Sequence, residues 1–145
     1  MAAFSFPEGY GYVFAALGGS FFMNTYLTIN VVNARKKYGV DYPALYAPPG
    51  HKYEKEFNSV QRAHQNTLEG YSFVMLTMCV NGLVYPVTSA ICGGLYIVGR
   101  IMYGYGYATG GPKGRMFGGI FSHLGDMPLV VISLKIAYDM ISAKK

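Results

Sequence analysis

Three polar side chains in the stretch 57–69 are spaced to share one face of a helix. Arg62, Asn66 and Glu69 stand at i, i+4 and i+7, which at about 100° per residue keeps them within about 60° of one another. They offer a guanidinium fork, an amide with donors and an acceptor, and a carboxylate. That set suits a zwitterionic ligand carrying both carboxylate and ammonium groups. The plainer reading is a hydrated helix start in which Arg62 and Glu69 pair with neighbours. His64 lies nearly opposite. A second concentration runs from Arg100 to Arg115. Within it Tyr103 and Tyr107, one turn apart, present their hydroxyls together, either to a ligand or as part of an aromatic belt at a membrane interface.

Other chemistries lack their residues. The glycines around Gly104 and Gly106 have no strand–helix context for a dinucleotide fingerprint, and no phosphate loop, HExxH motif or serine elbow occurs. Cys79 and Cys92 stand in apolar surroundings, away from any base. They read as small buried hydrophobes, with no disulfide framework and no metal site. An enzyme built this way takes its nucleophile from a substrate. A cation at the membrane edge would lower the pKa of a bound thiol by stabilising its thiolate.

These clusters must be positioned by membrane helices. Only 13% of the 145 residues are charged, against about 25% in soluble domains. Residues 9–34 and 70–99 contain no Asp, Glu, Lys or Arg, and each stretch exceeds the ~20 residues that cross a bilayer as helix. The expectation is an all-α polytopic membrane protein, one domain over 1–145, with spans near 10–34, 57–85, 87–107 and 115–141. Arg35-Lys36-Lys37 stops the first span. A polar connection with the breaker run Ala47-Pro48-Pro49-Gly50 follows, Pro86 divides the long apolar run, and a Gly/Pro turn over 109–114 precedes the fourth segment. That segment holds Asp126, Pro128, Lys135 and Asp139, with no unbroken apolar stretch of spanning length. Asp126 is a functional candidate at membrane depth, or an interfacial residue paired with His123 one turn earlier; Lys135 can snorkel to the headgroups.

The N-terminus lacks a basic n-region and a clear cleavage site, so its apolar stretch reads as a retained helix. The net charge of +5 clusters beside apolar segments, which points to membrane flanks or small anionic ligands and away from nucleic acid. Lys and Arg concentrate in the first and third connections, with Lys144 and Lys145 opposite. This places those connections in the cytosol and both termini across the membrane.

The block Arg62-Ala63-His64-Gln65-Asn66-Thr67-Leu68-Glu69 and the run Gly99-Arg100 through Tyr103, Tyr105-Gly106-Tyr107 and Thr109-Gly110 resemble the membrane-associated proteins in eicosanoid and glutathione metabolism (MAPEG), most closely the type-3 microsomal glutathione S-transferases. Glu8–Val13 and the segment from Ala34 to Pro43 agree. The resemblance is good over about 8–115 and poor in the final helix. It implies a four-helix protomer assembled as a homotrimer, with glutathione between protomers on the cytosolic side. It places glutathione contacts on Arg62, Asn66, Glu69, Tyr103 and Tyr107, with Arg35 and His64 contributed by the adjacent subunit. The catalytic arginine corresponds to Arg115, one residue later than in the leukotriene C4 synthases, where this chain has Gly114; Lys113 is the other cation in reach. Lys36, His64 and Gly70 also depart from that pattern.

The activity so implied is glutathione transfer to lipophilic electrophiles entering from the membrane lipids. Peroxidase action on lipid or organic hydroperoxides belongs with it, and conjugation of an epoxide such as leukotriene A4 is narrower. The endoplasmic reticulum is the expected location, with the outer mitochondrial membrane or another organelle membrane, such as that of a plastid, as alternatives. A non-catalytic scaffold or accessory subunit of a larger membrane complex is the rival reading, favoured by Asp126 and Pro128. A channel fits poorly, because the polar residues gather at one membrane edge.

Overall fold

The computed structural model describes residues 5–143, so Lys144 and Lys145 lie outside the described residues. Every regular element among them is an α-helix: α1 (Tyr10–Tyr38), α2 (Glu54–Gly82), α3 (Pro86–Gly114) and α4 (Met116–Ser142). The breaks have local causes. Gly39 takes φ 67 at the end of α1, and the backbone N–H groups of Gly39 and Val40 both donate to the Arg35 carbonyl at 2.9 and 3.2 Å. Glu54 and Glu56 occupy the first turn of α2, where carboxylates complement the helix dipole. Pro86 opens α3, where its missing N–H leaves no bond unmade.

The helices outrun the expected spans. Basic residues end a membrane crossing but not backbone hydrogen bonding, so α1 continues through Arg35-Lys36-Lys37, and α2 begins at Glu54 instead of near Phe57. The expected turn over 109–114 is corrected most. It is helical except at Gly111, whose φ 61 and ψ −151 interrupt α3 just before Pro112. Backbone of that kind is open only to glycine.

Two helices, α3 and α4, are long and apolar enough to cross a bilayer. The fourth segment passes despite Asp126, Lys135 and Asp139 because its charges are spread singly along an otherwise apolar helix. In α1 the charge-free stretch is diluted by Tyr, Gly, Asn and Thr, and in α2 by the polar cluster of its first half.

α3 touches all three other helices. The main core lies toward one end, where Val13, Val74, Met78, Tyr96 and Leu129 pack together. Polar ties cross it: Tyr10 donates to the Cys79 carbonyl at 2.9 Å, Asn81 to the Leu129 carbonyl at 2.8 Å and Ser133 to the Asn81 side-chain oxygen at 3.0 Å, and the Ser20 and Tyr71 hydroxyls meet at 2.8 Å. α3 and α4 approach at backbone distance, since a methyl group at Gly99 would stand 2.5 Å from the Ser122 backbone. Small residues permit such approach between membrane helices. At the opposite end Val31, Ala34, Val40, Ala47, Phe57 and Val60 bind the α1–α2 connection to the bundle.

Candidate functional site

The face read from residues 62, 66 and 69 forms as a connected unit. Arg62 grips Glu69 with both terminal nitrogens, at 2.7 and 3.4 Å, and Asn66 donates to the same carboxylate at 3.2 Å. Both members of the ion pair are more than two-fifths exposed. At that exposure a pair is weakly held and can exchange its partner for a ligand.

Behind it stands a residue that the sequence reading left out of the site. Arg100, on α3, is buried. Its Nε and one terminal nitrogen donate to the Thr67 hydroxyl at 3.0 and 2.8 Å, and that nitrogen also donates to the Asn66 carbonyl oxygen at 2.8 Å. Thr67 gives its own hydrogen to the Ala63 carbonyl at 2.9 Å, which leaves its lone pairs to the guanidinium. Arg100 also lies 4.2 Å over the Tyr103 ring. The Asn66 amide is thereby fixed in direction, oxygen toward Arg100 and nitrogen toward Glu69. The signal was available: positions 100, 103 and 107 fall within about 60° on a helical wheel.

Tyr103 and Tyr107 are buried and meet edge to face at 5.6 Å. Arg115 joins them. One terminal nitrogen donates to the Tyr103 hydroxyl at 3.1 Å, and the guanidinium lies 5.2 Å from the Tyr107 ring. The chain comes back this close because Gly111 breaks α3 and because Gly106 and Gly114 meet backbone to backbone. A Cβ on either would run into the carbonyl of the other. Lys113 is exposed, and Arg115 is the cation after the Gly111 break that reaches the tyrosine pair, opposite Arg100.

Arg35 and His64 are not brought to this face within the chain. Arg35 is buried and holds the α1–α2 connection, donating to the Val40 and Ala44 carbonyls at 3.2 and 2.8 Å beneath the Tyr42 ring. His64 faces α1, 3.4 Å from the Thr28 hydroxyl. Asp126 pairs with His123 at 3.0 Å.

Two open clefts adjoin at the tyrosine pair. One, of about 360 Å³, runs past Arg62, Tyr107 and Tyr46. The other, of about 330 Å³, is lined by Asn66, Arg100, Tyr103 and Arg115 and continues along α4. With Glu54 and Lys55 also lining the first cleft, the arrangement presents three guanidinium groups and an ammonium against two carboxylates, Glu54 and Glu69, a field suited to a small ligand with more anionic than cationic groups.

A four-helix membrane bundle with a cationic, tyrosine-lined cleft at one end is the class these features define. The chain belongs to the MAPEG family, whose sequence model matches residues 13–135. With that membership, the two apolar helices mark an integral membrane protein. It is 37% identical over 109 residues to an uncharacterised protein of Synechocystis, covering 74% of each chain. It is also 37% identical over 90 residues to microsomal glutathione S-transferase 2 of Homo sapiens, covering 61% of this chain and 57% of that one. With leukotriene C4 synthase of Cavia porcellus the identity is 31% over 87 residues, 59% of this chain and 54% of the relative. The matches to these two named enzymes thus span little more than half of each enzyme's length.

Proposed function

We propose that this protein is a membrane glutathione transferase that binds glutathione on the Arg62–Asn66–Glu69 face, ionises its thiol beside Arg115, and delivers the thiolate to lipophilic electrophiles drawn from the bilayer. Glutathione carries two carboxylates, one ammonium and one thiol. Arg62 and Arg100 suit the carboxylates, Glu69 suits the ammonium, and Tyr103 and Tyr107 line the path to Arg115. A lipid or organic hydroperoxide is a second acceptor for the same sulfur, which makes the protein a peroxidase as well. Epoxides such as leukotriene A4 belong to the same acceptor class. Arg35 and His64 complete the pocket from a neighbouring subunit of a homotrimer. The membrane is that of the endoplasmic reticulum, with the cleft facing the cytosol.

The observation that carries this reading is the Arg115 guanidinium held at 3.1 Å from the Tyr103 hydroxyl, in the cleft it shares with Asn66 and Arg100. A fixed cation beside a developing thiolate stabilises it without reorganisation, and no protein nucleophile is then required. The names of two relatives, a glutathione S-transferase and a leukotriene C4 synthase, support glutathione as the thiol. The test is Arg115→Ala assayed with 1-chloro-2,4-dinitrobenzene. Turnover should fall at least about 100-fold, while glutathione affinity by calorimetry falls only a few-fold. Equal turnover in variant and wild type contradicts the assignment.

A further inference from the structure

Two turns beyond Arg115, the same cleft is lined by a histidine, paired with Asp126, that thiolate formation does not use. His123 lines it with Asn66, Arg100, Tyr103 and Arg115. The His123 Nδ1 stands 3.0 and 3.1 Å from the two carboxylate oxygens of Asp126. A carboxylate only accepts, so Nδ1 carries the hydrogen and Nε2 is the nitrogen left to act. Asp126 is the covered member, its side chain 17% exposed against 58% for His123. The carboxylate is therefore anchored, and the far edge of the ring is open.

Arg115, Gly119 and His123 follow at i, i+4 and i+8, within about 80° on one side of α4 and about 12 Å along it. Gly119, without a side chain, leaves the space between the Arg115 and His123 side chains clear above the Tyr103 ring; a methyl group there would stand 3.5 Å from it. The cleft thus runs from Arg115 past Gly119 and Ile120 to His123 along this side of α4.

We propose that His123, positioned by Asp126, is the proton donor to the oxygen that the thiolate displaces when the acceptor is a hydroperoxide or an epoxide. The inference rests on the glutathione reading. With a hydroperoxide, the thiolate sulfur attacks the terminal peroxide oxygen and an S–O bond forms as the O–O bond breaks. The bonding pair leaves on the inner oxygen, which takes the proton from the Nε2 of the imidazolium and departs as an alcohol. Sulfur is oxidised by two electrons to the sulfenic acid, and the peroxide is reduced by two. A second glutathione thiol then condenses with the sulfenic acid to give the disulfide and water. An aryl chloride expels chloride, which needs no proton.

That contrast supplies the test. Turnover of cumene hydroperoxide and of 1-chloro-2,4-dinitrobenzene is measured on the full chain in lipid nanodiscs, for wild type, His123→Ala, His123→Gln and Asp126→Asn. The hydroperoxide-to-aryl-chloride ratio should fall at least about 100-fold in both His123 variants, the low end for loss of a general acid. It should also fall in Asp126→Asn, whose amide no longer fixes the hydrogen on Nδ1. Because the readout is a ratio within one preparation, partial loss of folded protein leaves it unmoved. A ratio within twofold of wild type in both His123 variants overturns the proposal. A wild-type protein that binds glutathione and turns over neither acceptor overturns it too. Absence of glutathione binding overturns the underlying reading and this inference with it.

Discussion

Arg100 shows what a guanidinium inside an apolar helix requires. Intramembrane charge is costly unless it is paired or hydrogen-bonded, and here Thr67, Asn66 and the Tyr103 ring receive it. The forked geometry is what spans Thr67 and Asn66 together, and an ammonium does not reproduce it. Arg100→Lys should therefore weaken glutathione binding about tenfold, the cost of a hydrogen bond to a charged group at about 1.5 kcal/mol, with the helices intact. Calorimetry and circular dichroism check this; unchanged affinity would separate Arg100 from the ligand face. At this scale much was legible in the sequence. Helical spacing alone brought Arg62, Asn66 and Glu69 together, and the connected hydrogen bonds agree with it. Arg100 was missed because the tyrosines were read for their hydroxyls without the residue one turn before them.

At the scale of elements, the position of Arg115 depends on how α3 ends. Glycine and proline at 109–114 announced a break but not its length, since composition gives no register. The backbone confines it to Gly111, and the contact between Gly106 and Gly114 then sets Arg115 against Tyr103. Adding a methyl group at Gly106 forces the two segments apart and carries the guanidinium with them. Gly106→Ala should lower turnover by about 100-fold, as misplacement by about 1 Å does, while the Arg62–Glu69 ion pair and bulk helicity persist. A variant with wild-type turnover would contradict this dependence. Arg35 acts at the same scale. The sequence marked it as the end of a span, whereas its contacts to the Val40 and Ala44 carbonyls form across a connection whose path no local pattern reveals.

For the whole molecule, the outer surface is the informative feature. Phe21, Phe22, Ile91, Phe117, Val131 and Leu134 are each more than half exposed, far more apolar surface than water tolerates in a monomer. Lipid and further protomers are the two coverings available to it. Arg35 and His64 point away from the cleft of their own chain, and the buried Nε of Arg35 has no hydrogen-bond partner among the described residues. The first of these facts favours a pocket finished by a neighbour; the buried Nε is closed to one. Native mass spectrometry from nanodiscs should give three copies, and His64→Ala should weaken glutathione binding; a monomer with full affinity would contradict the shared pocket. Assembly was the least legible level, because a single sequence records a face but not what covers it. The most direct measurement is the ultraviolet absorbance of thiolate on adding glutathione to the purified protein at neutral pH, alongside calorimetry. The account predicts thiolate formation on binding in wild type and binding without thiolate in Arg115→Ala. Binding with no thiolate in the wild type, or the same thiolate signal in both proteins, would contradict it.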